Sequence, residues 1–258
     1  MKQTKMLSMV LLSLMLTACG GDSTGPVINQ DNLMNNSNTT SNNDTSHSDS
    51  DTTTSIDIDG IYVDVDNNVV MMVDEDTEDG GFVLLDTDDS AVVMNTSHTI
   101  SGTRMTATGI SYLSSSAYSM NMEDSVTLTF YRQSVSFMGV INDQLTSYSL
   151  DRNSGSLSLE TLDGTYTNSE TGDTFSIDVA GNFTINGGCT ISGTVYQKKH
   201  YYRDDAASVT GCSDATFDRD DYQFILFTLI VGDTNYLVTI ADSSVATLWR
   251  LMPLEETL

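Results

Sequence analysis

Positive charge is scarce in this chain. Ten Lys and Arg stand against 36 Asp and Glu, a formal net charge of −26 over 258 residues. Nucleic acid and anionic headgroups both need a basic footprint, so neither is expected as a partner through surface charge. Proline occurs twice and hydrophobic residues make up 39%, which excludes a collagen-like or wholly disordered chain. Histidine is limited to His47, His98 and His200, with no His-x-x-x-His or Cys-x-x-Cys pair. Nucleophilic and zinc chemistry therefore have few histidines to draw on, and scattered acids neither support nor exclude a glycosidase. No catalytic residue is singled out and no enzyme is expected.

What the sequence does contain begins at its start. Lys2 and Lys5 precede an apolar run over residues 6–16, broken only by Ser8 and Ser13. The run is short for a permanent membrane helix and has the layout of a signal peptide over residues 1–18. Leu16-Thr17-Ala18-Cys19 resembles the lipobox of bacterial lipoproteins. That resemblance implies cleavage before Cys19, a diacylglyceryl group on its thiol and acylation of the new amine. At about 0.8 kcal/mol per buried methylene, two or three acyl chains hold a domain firmly on a membrane. Loss of Lys2 and Lys5 would leave 8 basic residues and a net charge of −28. Gly20 rather than Asp follows the Cys, which in the lipoprotein resemblance implies the outer membrane, with the chain periplasmic or surface-exposed.

Residues 19–55 then form an Asn/Ser/Thr/Asp-rich stretch without aromatics. Such a segment buries too little to offset ordering entropy, so a disordered tether of about 35 Å mean span is expected.

Beyond residue 56 the periodicity is that of strands. Residues 174–179 and 182–186 alternate strictly, with Ala180-Gly181 as the turn between them. Residues 125–132, 135–141, 235–241 and 245–251 read the same way, and no segment keeps a helical apolar stripe for ten residues. The continuous apolar run 224–231 reads as a central strand covered on both faces. An internal repeat is visible: Asp59-Gly60-Ile61-Tyr62 returns as Asp163-Gly164-Thr165-Tyr166, and Thr-Ile-Ser-Gly-Thr at 99–103 returns at 190–194. The expected architecture is all-β, with two tandem antiparallel domains at 56–155 and 160–258. Each would be a small barrel or sandwich, the second a repeat of the first, and one larger sandwich is the alternative.

With Cys19 assigned to lipid, Cys189 and Cys212 are left to pair as a disulfide in an oxidising compartment. Between them lies the basic and aromatic cluster Lys198, Lys199, His200, Tyr201, Tyr202 and Arg203, a contact surface or a solvated hairpin tip. The acidic segment at 74–81 offers Asp74, Asp76, Glu78 and Asp79 as Ca²⁺ ligands. It misses EF-hand spacing, since Gly80 falls one place late and Leu85 stands where the bidentate Glu belongs. The competing reading is solubility through excess charge, with no cofactor at all. Met71-Met72 and Met120-Asn121-Met122 read as core filling rather than copper ligands.

Past the lipobox the chain bears a general likeness to tandem-β-domain lipoproteins of Gram-negative bacteria, which carries no activity with it. The expected function is a lipid-anchored envelope protein presenting β domains to a protein or glycan partner. The alternatives are a structural role in envelope maintenance and a membrane-anchored hydrolase.

Overall fold

The computed structural model describes residues 56–254 apart from 78–79, 115–116 and 170. The expected leader, the Cys19 lipidation site and the tether lie outside the described residues.

Eight strands form the first unit: β1 (Gly60–Asp64), β2 (Val69–Val73), β3 (Phe82–Asp86), β4 (Ala91–Ser101), β5 (Arg104–Leu113), β6 (Tyr118–Phe130), β7 (Ser134–Ile141) and β8 (Gln144–Arg152). Each pairs antiparallel with the next, and β8 returns to β1 through Tyr62↔Arg152 and Val63↔Asp151, closing a barrel. After a four-residue helix, α1 (Leu159–Leu162), the second unit repeats the same up-and-down order. Its path runs β9 (Gly164–Thr167), β10 (Thr174–Ile177), β11 (Asn182–Asn186), β12 (Thr190–Thr194), β14 (Tyr201–Thr210), β15 (Arg219–Val231), β16 (Thr234–Asp242) and β17 (Thr247–Pro253). A short strand, β13 (Tyr196–Lys198), lies off this path and pairs with β14. The second sheet curls into a half-barrel, so the all-β expectation holds, with barrel rather than sandwich geometry.

Both sequence matches fall at the same place in the two meanders. Tyr62 and Tyr166 each donate their hydroxyl to the carbonyl four residues back, on Ile58 (2.9 Å) and Leu162 (3.2 Å). Gly60 and Gly164 share an unusual positive φ, 158° and 153°. Thr99-Ile100-Ser101 end the fourth strand of the barrel meander, whereas all five residues of 190–194 form the fourth strand of the second. In the barrel the Gly102-Thr103 turn follows at once, whereas in the second unit the chain departs to build β13.

Alternation along each strand divides three cores. Tyr62, Met71, Leu84, Leu128, Phe130 and Phe137 fill the barrel interior. This is the opposite polarity from a transmembrane barrel, whose interior is polar. Phe175, Phe183, Phe224 and Leu226 line the hollow of the half-barrel. The third core joins the units: Ile61, Val63, Val70, Met72, Val83 and Leu85 on the barrel exterior meet Phe227, Leu229, Val238 and Ile240. Residues 224 and 226 thus face one core while 227 and 229 face another, which explains the unbroken apolar run in β15. The wholly buried strands β1 and β2 have the same cause.

One turn differs from the sequence expectation. The β10 pairing ends at Ile177, and residues 178–181 form the loop, with Val179 exposed. Asp178 accepts hydrogen bonds from the backbone N–H groups of Ala180 and Asn182, both 2.9 Å, and so holds a longer turn than Ala180-Gly181 alone would make.

Cys189 and Cys212 form a disulfide with Cα atoms 4.3 Å apart, pinning the start of β12 to the loop after β14. Closing this loop limits the unfolded ensemble by about 3 kcal/mol in the chain-entropy account. Replacing both cysteines with serine should lower the urea midpoint accordingly, and an unchanged midpoint would show that the bridge adds nothing to stability.

A candidate binding cleft at the junction of the two β units

The segment after the barrel is stitched to the second sheet. The Asn153 side-chain amide both donates to the Ile230 carbonyl (2.8 Å) and accepts from its N–H (3.0 Å). Thr228 accepts from Leu157 N (2.8 Å) and donates its own N–H to Ser156 Oγ (3.2 Å). These bonds pair backbone groups of β15 and fasten the connection to it as a strap.

Beside the strap, the structure brings together two clusters that the sequence reading treated separately. Lys199 reaches from β14's hairpin to the barrel, where its ammonium contacts Asp59, Asp76 (2.6 Å) and Asp74 (3.1 Å). Lys198 lies 3.4 Å from Asp74, and the Tyr201 hydroxyl donates to the same carboxylate at 2.7 Å. Burial alone would raise the Asp74 carboxyl, but hydrogen bonds from Tyr201, the Asp76 backbone and Lys199 outweigh it and leave the group at about 2. Burial would likewise lower the Lys199 ammonium, and its bonds to Asp59, Asp76 and Asp74 raise it instead.

Asp59, Asp74 and Asp76 each place an oxygen within 4.8 Å of the others, the kind of cluster expected of a Ca²⁺ ligand set. Here the Lys199 ammonium supplies positive charge to all three. Glu78 and Asp79 lie outside the described residues, and Asp59 enters the cluster only because β1 runs beside β2. The basic cluster is therefore not a solvated hairpin tip. Tyr201 is 2% exposed, Tyr202 is buried with its hydroxyl on Leu157 O (2.9 Å), and the His200 carbonyl accepts from Ser156. Arg203 pairs with Asp205 at 2.5 Å.

His98 holds the acidic loop from the other side, with its ring nitrogens on the carbonyls of Gly80 and Glu75 (3.0 Å for the latter). Gly81 is required there, since a Cβ would stand 2.8 Å from the His98 ring. The segment Gly21-Asp22-Ser23-Thr24-Gly25 has Gly-x-Ser-x-Gly spacing, and it too lies outside the described residues.

Next to this clamp residues of the barrel exterior and of the half-barrel together line a cleft of about 790 Å³. Met72, Val83 and Ile240 reach it from the shared core, Met94 and Ile225 are half-buried beside them, and the exposed Tyr118 and Met120 also line it. Three described carboxylates line it: Asp74, Asp221 and Asp242. Asp74 is held by Lys199, and Asp221 pairs with Arg219. Asp242 accepts from the Thr247 hydroxyl and pairs with no cation among the described residues. Burial pushes its carboxyl above the ordinary range, opposed by hydrogen bonds from Thr247 and the Ser243 backbone. Asp242 and Met94 carried no signal in the sequence beyond strand alternation, because the cleft joins residues far apart in the chain.

No protein-family model, curated protein or solved structure matches this chain.

Proposed function

We propose that this chain is an exported lipoprotein, anchored through Cys19 in the outer membrane, that presents its two β units as a binding module. The cleft between those units is its ligand site. The observation that carries the reading is the cleft itself: its volume and mixed apolar and polar lining suit a small-molecule or side-chain ligand, and the strap and ion cluster tie together the two units that bound it. The signal-like start, Leu16-Thr17-Ala18-Cys19 and the polar tether support export and anchoring. Binding is favoured over catalysis because His98 is engaged with backbone carbonyls and Asp74 is tied to Lys199 and Tyr201. A protein or glycan partner presents groups of the required size.

Nile red, a neutral apolar dye, tests the cleft on the purified full chain. Its emission should rise and shift to the blue, and Met94→Arg should remove the response. Leu145→Ser, at the most exposed large apolar residue of the barrel, should leave it intact. A response lost with Leu145→Ser and kept with Met94→Arg would place the dye elsewhere and sink the proposal. Metabolic labelling with an alkynyl fatty acid checks the anchor: Cys19→Ser should lose both the label and sedimentation with membranes.

A further inference from the structure

Taking the cleft as a binding site, we infer that it selects a small organic cation with an apolar body, an amine or guanidinium seated on Asp242. Among the described residues, four cations at or near the cleft, including Arg203 in its lining, are already engaged. Lys199 and Lys198 serve the Asp59–Asp74–Asp76 cluster, Arg203 serves Asp205, and Arg219 serves Asp221. Among the described carboxylates that line the cleft, Asp242 is the one that folding leaves without a counter-charge. A charge in a partly desolvated position without a partner is costly, and an incoming cation offsets that cost.

The surroundings select the rest of the ligand. Met94, Ile225 and Met120 offer accessible apolar surface, and thioethers adapt to bodies of varied shape. Tyr118 at the rim is 67% exposed and gives an aromatic face over which a cation can pass. Anionic ligands meet the opposite field, since the whole chain carries a net charge of −26. A metal ion needs several oxygens in a shell, and Asp242 is one carboxylate beside hydroxyls.

The test uses two dyes of nearly equal shape on the purified full chain. Dansylcadaverine carries a primary amine on an apolar body, and its N-acetyl derivative lacks the charge. Fluorescence titration should show the amine binding at least tenfold more tightly. Asp242→Asn should reduce that preference to near unity by weakening the amine alone. Asp242→Glu, which keeps the charge, should retain a preference, as should Asp89→Asn on the exposed β3–β4 turn. Equal affinity of the two dyes for the wild type, or a preference that survives Asp242→Asn, overturns the assignment. If Nile red binds and neither dansyl dye does, the cation assignment fails while the cleft stands. If no dye binds, the cleft reading fails as well.

Discussion

Replacing Lys199 with methionine should destabilise the protein by about 2–3 kcal/mol, read as a lower urea midpoint. The substitution keeps most of the apolar stem and removes the ammonium, leaving Asp59 and Asp74 nearly buried beside Asp76 with only Lys198 as counter-charge. The figure is set below that for a fully buried pair because the Lys199 side chain is 29% exposed. Adding Asp74→Asn to Lys199→Met should recover part of the loss, since one uncompensated charge goes while Tyr201 can still donate to the amide oxygen. A double variant less stable than the single would show that the carboxylates do not repel one another as the geometry requires.

The pH dependence follows from the same groups. Asp74 is depressed from an ordinary 3.8 to about 2, so its contribution is present above about pH 4 and is lost as pH falls through about 2. That contribution is on the order of 2 kcal/mol. Lys199 is raised above its ordinary 10.5, so its contribution is complete below that value and fades only at higher pH. The stability difference between wild type and Lys199→Met should therefore stay level from about pH 4 to about pH 10 and shrink in acid. A difference that grew as the pH fell would contradict the assigned ion pairing.

Phe227→Ala should cost more, about 3–4 kcal/mol, and should act on the joint between the units. The Phe227 side chain is 1% exposed and belongs to the shared core rather than to either interior. Trp249, the single tryptophan, packs against the same shared core from β17 of the half-barrel. In the wild type, Trp fluorescence and far-UV circular dichroism should give one coincident transition. In Phe227→Ala the fluorescence transition should come first, because the barrel interior around Phe130 and Phe137 is untouched. Coincident transitions in the variant would mean that the barrel cannot stand without the half-barrel.

The all-β class was legible because strand alternation is local, and a period of two survives in any tertiary setting. The disulfide was legible for a different reason: once Cys19 is set aside, two cysteines admit one pairing. The repeated Asp-Gly-x-Tyr motif was visible as letters, but its meaning lay in geometry. The Tyr62 hydroxyl caps a carbonyl four residues back, beneath the Arg152 guanidinium at 5.1 Å from its ring.

Closure was not legible. Both units thread eight strands in the same order, yet two residue pairs between β1 and β8 close one of them while the other stays a half-barrel. Long-range pairing of this kind depends on sheet curvature summed over all the strands, which no short window of sequence encodes. The clamp was equally hidden. Asp59 and Asp74 are 140 and 125 positions from Lys199, and only docking of the half-barrel on the barrel brings the ammonium among them. By itself, then, the sequence determined which residues form strands, which face of each is apolar, and which cysteines can pair, because those properties follow from local stereochemistry and composition. Tertiary structure alone decided that the apolar exterior of the barrel is covered, that an acidic patch and a basic patch become one ion cluster, and that a cleft with an unpaired Asp242 lies beside them. Burial and electrostatic compensation are properties of the assembled surfaces.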